Sequence, residues 1–548
     1  MQAPFNKTTP LIRLFKLIEF ERNDLVILPI IIFGYGLLNF IIPISVQALV
    51  NIVSMGAVLQ PLFIISIVLF VLLALSGSLY VFEIYVVELI QRRLFIRTAI
   101  NAAEKTSGID IGFYDQENPV ELINRFLDIT TVQKTVSSLL TVALIAFLQA
   151  ILGSLILIFY SAYFAILVFV ILGFLAFIFY GLGRHAEETA LAESKTKYQM
   201  ISWLENIARN IFTFKFYDTS DRSAHETHSL VNKYIEKRSS HFTILLWQNI
   251  SACIIYAAGG TALLALGGSL VIRGEINIGQ FVAAELIIFG VLGSVMRFVN
   301  KLSDFYDLLA ALDKIGVIED FPQESNGEVI LDQPIQHLNI NGISFAYHPR
   351  VQVLPLLSFQ LSQGQSMAIL GNPGSGKSTL INLLAKIRQP DSGFVEINHL
   401  DIRQLDNYSL RNRIGYVSHL EIIEGSIIDN IRLGRDISLT RINQLINEIE
   451  IGDEFRALPN GLDTELSASG APLSTSQLQR LMIIRGMAGA PGLFMIDGML
   501  DNFNDEKLRQ VIVLLKSHQK DFILIVSTRF PHIAKHFDQI IDLNKLKA

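Results

Sequence analysis

Nine residues, GNPGSGKST at 371–379, have the types and the order needed to hold a row of phosphates. Gly371, Gly374 and Gly376 allow backbone N–H groups to close round an anion, with Asn372, Pro373 and Ser375 between them. Lys377 offers a cation to the outer phosphates, Ser378 a hydroxyl that can ligate magnesium, and Thr379 leads into the next element. The flanks are those the pattern requires: SMAIL reads as a strand before it and TLINLLAKI as a helix after it. A second stretch, LFMID at 493–497, reads as a buried strand ending on Asp497, which would hold the same metal through water or Ser378. A strand ending in Asp is common by chance, and its weight comes from being paired with the glycine loop. The chemistry implied is the binding of a nucleotide with Mg2+.

The elements around these residues are far from those of an ordinary soluble enzyme. Of 548 residues, 51% are hydrophobic and only 17% charged, and the mean hydropathy is +0.44; a membrane protein is the first expectation. A net charge of −6 gives no electrostatic case for nucleic acid as a partner. The single cysteine, Cys253, excludes an intramolecular disulfide or a cysteine-based metal site and reads as a buried small hydrophobe. The N-terminal MQAPFNKTTPLIRLFKLIEFERND lacks a small-residue cleavage pattern and precedes an apolar stretch too long for a signal-peptide core, so it reads as an uncleaved cytosolic lead-in.

Six stretches are apolar and long enough to cross a bilayer as helices, near 25–47, 60–84, 136–159, 161–183, 243–272 and 278–300. The connections VSMGAVLQP and YSAY carry no Lys or Arg. Basic residues gather on the other side, at Lys7, Arg13, Lys16, Arg22, Arg92, Arg93, Arg97, Arg184, Lys195, Lys197, Arg297 and Lys301. The positive-inside rule therefore places both termini and the long connections, about 85–135 and 184–241, in the cytosol. Those connections read as polar helices continuing out of the membrane.

Hydropathy drops after DLLAALDKIGVIEDFPQESNGEV, where Pro322, Gly327 and several acids mark a linker. The expected division is a transmembrane domain over 1–330 and a nucleotide-binding domain over 331–548. The second opens on alternating apolar and polar residues with turn breaks and later mixes helical patterns with GLFMID and DFILIVS, so it reads as α/β. The fold class expected is an all-α six-helix membrane domain followed by a cytosolic α/β P-loop NTPase domain.

With these pieces in place the chain resembles the ATP-binding cassette exporters of the type I fold, in their half-transporter form with the membrane domain first. The spans are most similar to those of bacterial type I secretion-like members, without the peptidase domain some of those carry. The resemblance implies ATP and Mg2+ as ligands, the bacterial inner membrane as location, and coupling segments at FYDQENPVELINRF and ENIARNIFTFKFYDTSDR, about 111–127 and 204–222. It also implies that Tyr347 of ISFAYHP stacks on adenine and that Ser474 and Gln477, in the segment Leu473–Gln477, face the γ-phosphate of a second cassette. A second half-transporter chain, identical or different, is the implied partner beside the lipid bilayer, and the transported substrate is left open.

Several family positions are altered. The glutamine of the family's Q-loop is His419, its LSGGQ reads LSTSQ, and its SALD stretch reads DNFN at Asp501–Asn504. The general-base glutamate is Gly498 and the γ-phosphate histidine is Thr528. Loss of a positioned general base costs about 10²–10⁴ in rate. Asp501 is expected on the turn after the strand end, away from the missing carboxylate's place, His532 away from the missing histidine's, and His419 in a solvated loop. No catalytic group is then intact, and the expectation is a cassette that binds Mg-ATP and hydrolyses it weakly or not at all. The alternative is a non-transporting, ATP-responsive membrane scaffold or regulator; a passive channel fits poorly because the spans carry few charges.

Within the spans, Glu285 stands out as an acid and faces either a cavity or a substrate. Gln149, Gln248 and Asn249 are expected to join helices. The Phe-rich FVILGFLAFIFY is expected to face lipid.

Overall fold

The computed structural model describes residues 9–20, 22–54, 59–115, 123–217, 222–348 and 351–546. The expected connection VSMGAVLQP falls partly outside these, as do parts of both expected coupling segments. The chain forms two compact units: Met1–Ile109 with Gln116–Pro322, and Asp110–Asp115 with Gln323–Ala548.

The first unit is helical. Among its described residues, six helices are long and apolar enough to span a bilayer: Val26–Ser54, Gln60–Ser107, Asn124–Tyr160, Ala162–Leu182, Arg222–Ile272 and Ile278–Glu319. The helices Leu59–Ser107 and Arg222–Ile272 run unbroken for 49 and 51 residues. At about 1.5 Å per residue each is more than twice the roughly 30 Å of the hydrocarbon core, so the polar half of each must leave it. The third and fourth spans are joined by one extended residue, Ser161, whose hydroxyl accepts from the Tyr163 N–H at 3.3 Å. Asn277 and Gln280 form a reciprocal cap that opens the sixth span.

Helices meet where side chains are small. A Cβ on Gly153 would lie 2.5 Å from Val291 Cγ2, and one on Gly267 2.5 Å from the Phe281 ring, so the sixth span is drawn against the third and the fifth. Gln248 Nε2 donates to the Tyr306 hydroxyl at 3.0 Å, and Gln149 accepts from Ser294 and Arg297 at 3.3 and 3.2 Å. These two glutamines join helices as expected. Asn249 does not: its amide donates to Leu245 O one turn back on its own helix, at 2.8 Å. Cys253 is exposed on this chain rather than buried, because the fifth span turns that face outward. Phe169, Phe174 and Phe177 are exposed on the fourth span, while Ile171, Leu175 and Ile178 face the core.

The second unit holds two main sheets. β1 (His337–His348), β2 (Val351–Ser362), β4 (Ser392–Ile397) and β5 (Leu400–Asp401) form an antiparallel sheet in the order β2-β1-β4-β5. β3 (Ser366–Leu370), β6 (Ile414–Val417), β9 (Leu493–Asp497), β10 (Ile523–Thr528) and β11 (Gln539–Asp542) form a parallel sheet in the order β11-β3-β10-β9-β6. The central strands β3, β9 and β10 are buried on both faces, as a sheet covered on both sides requires. Their period of two divides them cleanly: Met367, Ile369, Leu493, Met495, Ile523 and Ile525 pack with the antiparallel sheet and the helix Lys377–Leu384. Ala368, Phe494, Ile496, Leu524 and Val526 pack on the opposite face, with the helices Thr475–Ala488 and Asp505–Ser517.

Candidate functional site: the carboxyl ends of three parallel strands

The site lies where β3, β10 and β9 end together. Ser527 is paired with Ile369 of β3 and with Asp497 of β9, and Thr528 with Leu370. Parallel strands place their carboxyl ends at one edge, the usual position for a ligand in an open α/β sheet. Gly371–Gly376 turns from the end of β3 into the helix Lys377–Leu384.

The glycine loop has the conformation its sequence requires. Gly374 and Gly376 have φ of +78° and +99°, the left-handed region that side chains disfavour. A Cβ on Gly376 would also stand 2.8 Å from Leu354 Cδ2. Lys377 Nζ donates to the carbonyls of Gly371 and Asn372, at 2.7 and 2.9 Å. Burial pushes the Lys377 ammonium below the usual lysine range; Asp497 and Asp501 pull it back up, and Arg529 adds to the push down. A half-buried cation held by backbone oxygens, beside orphan helix N–H groups, suits an anionic ligand. Ser378 is exposed in the first turn, Ser375 is buried, and Thr379 Oγ1 meets the Tyr347 hydroxyl at 3.1 Å. Asn372 and Pro373 are exposed at the loop's tip.

Asp497 is buried at the end of β9 and accepts from the Ser527 hydroxyl. One oxygen is thus fixed by the neighbouring strand, and Ser378 and Asp497 are the residues able to hold Mg2+ beside the loop. Among the described residues no cluster of three or more His, Cys, Asp or Glu could hold a metal alone.

Gly498 follows with φ +65°, and an added Cβ would meet nothing within 4 Å. Thr528 is fully buried; its hydroxyl donates to the Asp501 carboxylate and accepts from the Phe530 N–H at 3.0 Å. The other Asp501 oxygen accepts from the Arg529 N–H at 3.0 Å and lies 3.9 Å from Arg529 Nε. Asp501 does sit on the turn after β9, Met499–Asn502, yet its carboxylate reaches back to the end of β10, since a 3₁₀ turn brings that side chain round. His532 is exposed and packs on the Phe530 ring, with ring centres 5.4 Å apart. His419 is exposed in the loop after β6.

Ser474 and Gln477 lie on a different element. They form a reciprocal cap at the N-terminus of Thr475–Ala488, with Ser474 N donating to Gln477 Oε1 at 2.7 Å. Thr475 and Ser476 occupy its first turn. That helix is held by Arg480, fully buried, whose Nη2 donates to both oxygens of Glu454 at 2.7 Å.

Tyr347 is 46% exposed, with its hydroxyl on Thr379, the Phe345 ring edge-on at 5.0 Å and the Arg388 guanidinium over one face at 4.9 Å. Arg388 carries no motif, so its role was not legible from the chain. Nor was Glu83, which is fully buried in the second span with neither carboxylate oxygen hydrogen-bonded among the described residues. Glu285, by contrast, is only half-buried, and the more deeply enclosed acid is therefore Glu83. Its spacing from Leu79, Val87 and Ile90 puts it on the packed face of that helix, a signal present in the sequence.

Comparison with known proteins agrees with this architecture. Residues 354–500 match the family described as "ABC transporter", and residues 25–295 match "ABC transporter transmembrane region". The chain is 23% identical over 516 residues to the lactococcin-G-processing and transport ATP-binding protein LagD of Lactococcus lactis, covering 93% of this chain and 72% of that protein. It is 23% identical over 539 residues to the lactococcin-A transport/processing ATP-binding protein LcnC of the same organism, covering 96% and 74%. A solved bacterial Atm1-family ABC exporter with ATP bound shares the fold, with a TM-score of 0.80 at 18% identity over 95% of this chain and 93% of that one. The chain belongs to the ABC transporters and has the exporter fold, six membrane-spanning helices followed by an ATP-binding cassette.

Proposed function

We propose that the chain is one half of a two-chain export unit that binds Mg-ATP at a cassette with degenerate hydrolytic machinery. It resides in the bacterial inner membrane with both termini in the cytosol, as the one-sided distribution of Lys and Arg supports. The observation that carries the reading is the state of the three strand ends. The loop after β3 keeps its cradle, β9 keeps Asp497, and the next position, Gly498, has no side chain to take a proton from water.

Binding falls to residues that are present. The N–H groups of Gly376–Thr379, at the start of the helix, enclose the phosphates, and Lys377 exchanges the carbonyls of Gly371 and Asn372 for phosphate oxygens. Ser378 and Asp497 are the residues that would hold Mg2+, which would supply charge neutralisation at the phosphates. The exposed face of Tyr347 takes the adenine.

Water activation has no such group. The nearby carboxylate, Asp501, has its oxygens engaged by Thr528 and by the Arg529 backbone, and Thr528 spends its hydroxyl on Asp501. A base must be free to accept a proton in line with the attacking oxygen. Ser474 and Gln477 would meet the nucleotide of a second cassette, and Thr475 and Ser476 crowd the approach that glycines leave open. In a homodimer both sites would pair Gly498 with this altered segment. In a heterodimer an intact partner could bring its own base to one site.

The test is the fate of bound nucleotide. Purified protein incubated with Mg-ATP should retain ATP, identified by chromatography after removal of free ligand, and Lys377→Ala should retain none. Recovery of ADP alone would overturn the reading.

A further inference from the structure

We infer that Arg388 is a specificity-determining residue that ties base recognition at Tyr347 to the segment Asp110–Asp115, through an ion pair with Asp115. The inference rests on Tyr347 as the adenine platform.

Three contacts fix the Tyr347 ring. Its hydroxyl is tied to Thr379 at 3.1 Å, its edge meets Phe345, and Arg388 covers one face with its guanidinium carbon 4.9 Å from the ring centre. Tyr347 remains 46% exposed, which leaves ring surface that a purine can use. Arg388 is itself held: its side chain is only 10% exposed, Nη2 pairs with the Asp115 carboxylate, and its buried Nε has no hydrogen-bond partner among the described residues. Asp115 is thus the acid that fixes the guanidinium plane against the ring.

Asp115 follows the short helix Ile111–Tyr114, which Asp110 caps by accepting from Gly112 N and Phe113 N at 2.9 and 3.3 Å. Asp110–Asp115 groups with the cassette although the chain on both sides belongs to the membrane unit. The segment begins three residues after the helix Leu59–Ser107, which contains the second span. A ring held in place loses little side-chain entropy when a base stacks on it, so each contact that fixes Tyr347 adds to affinity for the base and not for the phosphates. The coupling is reciprocal: if Asp115 strengthens base binding through Arg388, the stacked base holds Asp115 in place by the same free energy. The charge on Arg388 is essential, because a neutral residue there would neither pair with Asp115 nor sit favourably on the ring face.

The experiment compares ATP with inorganic tripolyphosphate, which has the phosphates and no base, on the full chain in nanodiscs. Asp115→Asn and Arg388→Ala should each weaken ATP by about three- to tenfold, the worth of a partly desolvated cation–π contact. Tripolyphosphate affinity should not change. Amide exchange over Gly112–Tyr114 should slow with ATP in the wild type, and not with tripolyphosphate or in Arg388→Ala. Equal weakening of both ligands, or unchanged ATP affinity in Asp115→Asn, would overturn the inference. Tyr347→Ala separates the two claims: loss of ATP preference there with none in Asp115→Asn sinks the relay alone, and no loss in either sinks the adenine platform as well.

Discussion

Thr528, at the end of β10, gives its hydroxyl hydrogen to the carboxylate of Asp501, on the turn after β9. The two side chains are therefore one structural unit, each satisfying the other. Thr528→His would have to break this pair in a fully buried position. The expected result is no gain in ATP hydrolysis and a cassette destabilised by about 1–3 kcal/mol, read by chemical denaturation.

On the proposed reading, a carboxylate placed at Gly498 alone should help little. Gly498 has φ +65° and open space beyond its Cβ position, so glutamate fits but strains the backbone by about 1–2 kcal/mol. Gly498→Glu should raise ATP turnover by less than about tenfold, because Thr528, His419 and the segment Leu473–Gln477 stay altered. A phosphate-release assay alongside a thermal melt checks both halves.

Lys377 rests on the glycine loop's own carbonyls. Lys377→Ala should weaken Mg-ATP by about 10- to 100-fold, the worth of hydrogen bonds from a charged donor. Titration with a fluorescent ATP analogue measures it, and the melting temperature without nucleotide should change little.

The pair Arg480 and Glu454 anchors the helix that carries Ser474. Glu454→Gln leaves a fully buried guanidinium without its counter-charge and should cost about 2–4 kcal/mol, less than a fully enclosed pair because Glu454 is a third exposed. Burial raises the Glu454 carboxyl, and hydrogen bonds from Arg480 and Gln477 more than offset it, holding it below the usual glutamate range. Asp538 is likewise pushed up by burial and held down overall by Ser366 and Gln519. Carboxyls depressed in the fold contribute stability above their unfolded values, near pH 4, and lose it as pH falls through the folded ones. Denaturation midpoints of the protein should be flat from pH 7 to 5 and drop below about pH 4; Glu454→Gln should flatten that drop.

Glu83 offers a different kind of test. A fully buried acid without a hydrogen-bond partner among the described residues contributes nothing to stability that glutamine would not. Glu83→Gln should leave the thermal midpoint in detergent unchanged or raised, whereas Glu83→Lys should lower expression and stability sharply.

Much of this architecture is written in the chain because it depends on local patterns. Six long apolar runs, the short continuous apolar strands SMAIL and DFILIVS, and the glycines of 371–376 each dictate their own conformation. The strand ends meet because parallel pairing follows from those same patterns. What stayed hidden depends on side chains that meet across the fold. Asp501 reaches Thr528 from 27 residues away, Arg388 meets Asp115 across 273, and Asn249 turns to its own helix rather than a neighbour. Cys253 faces outward for a similar reason: in a uniformly apolar helix the sequence marks no inner face.

The central claim is a cassette that keeps its phosphate cradle without a base to activate water. Its most direct test is steady-state ATP turnover by the purified chain alone in nanodiscs, at saturating Mg-ATP, beside LagD in the same assay. Turnover at least about 10²-fold below LagD, with ATP still bound, is the predicted result. Turnover within a few-fold of LagD that is abolished by Lys377→Ala would contradict it.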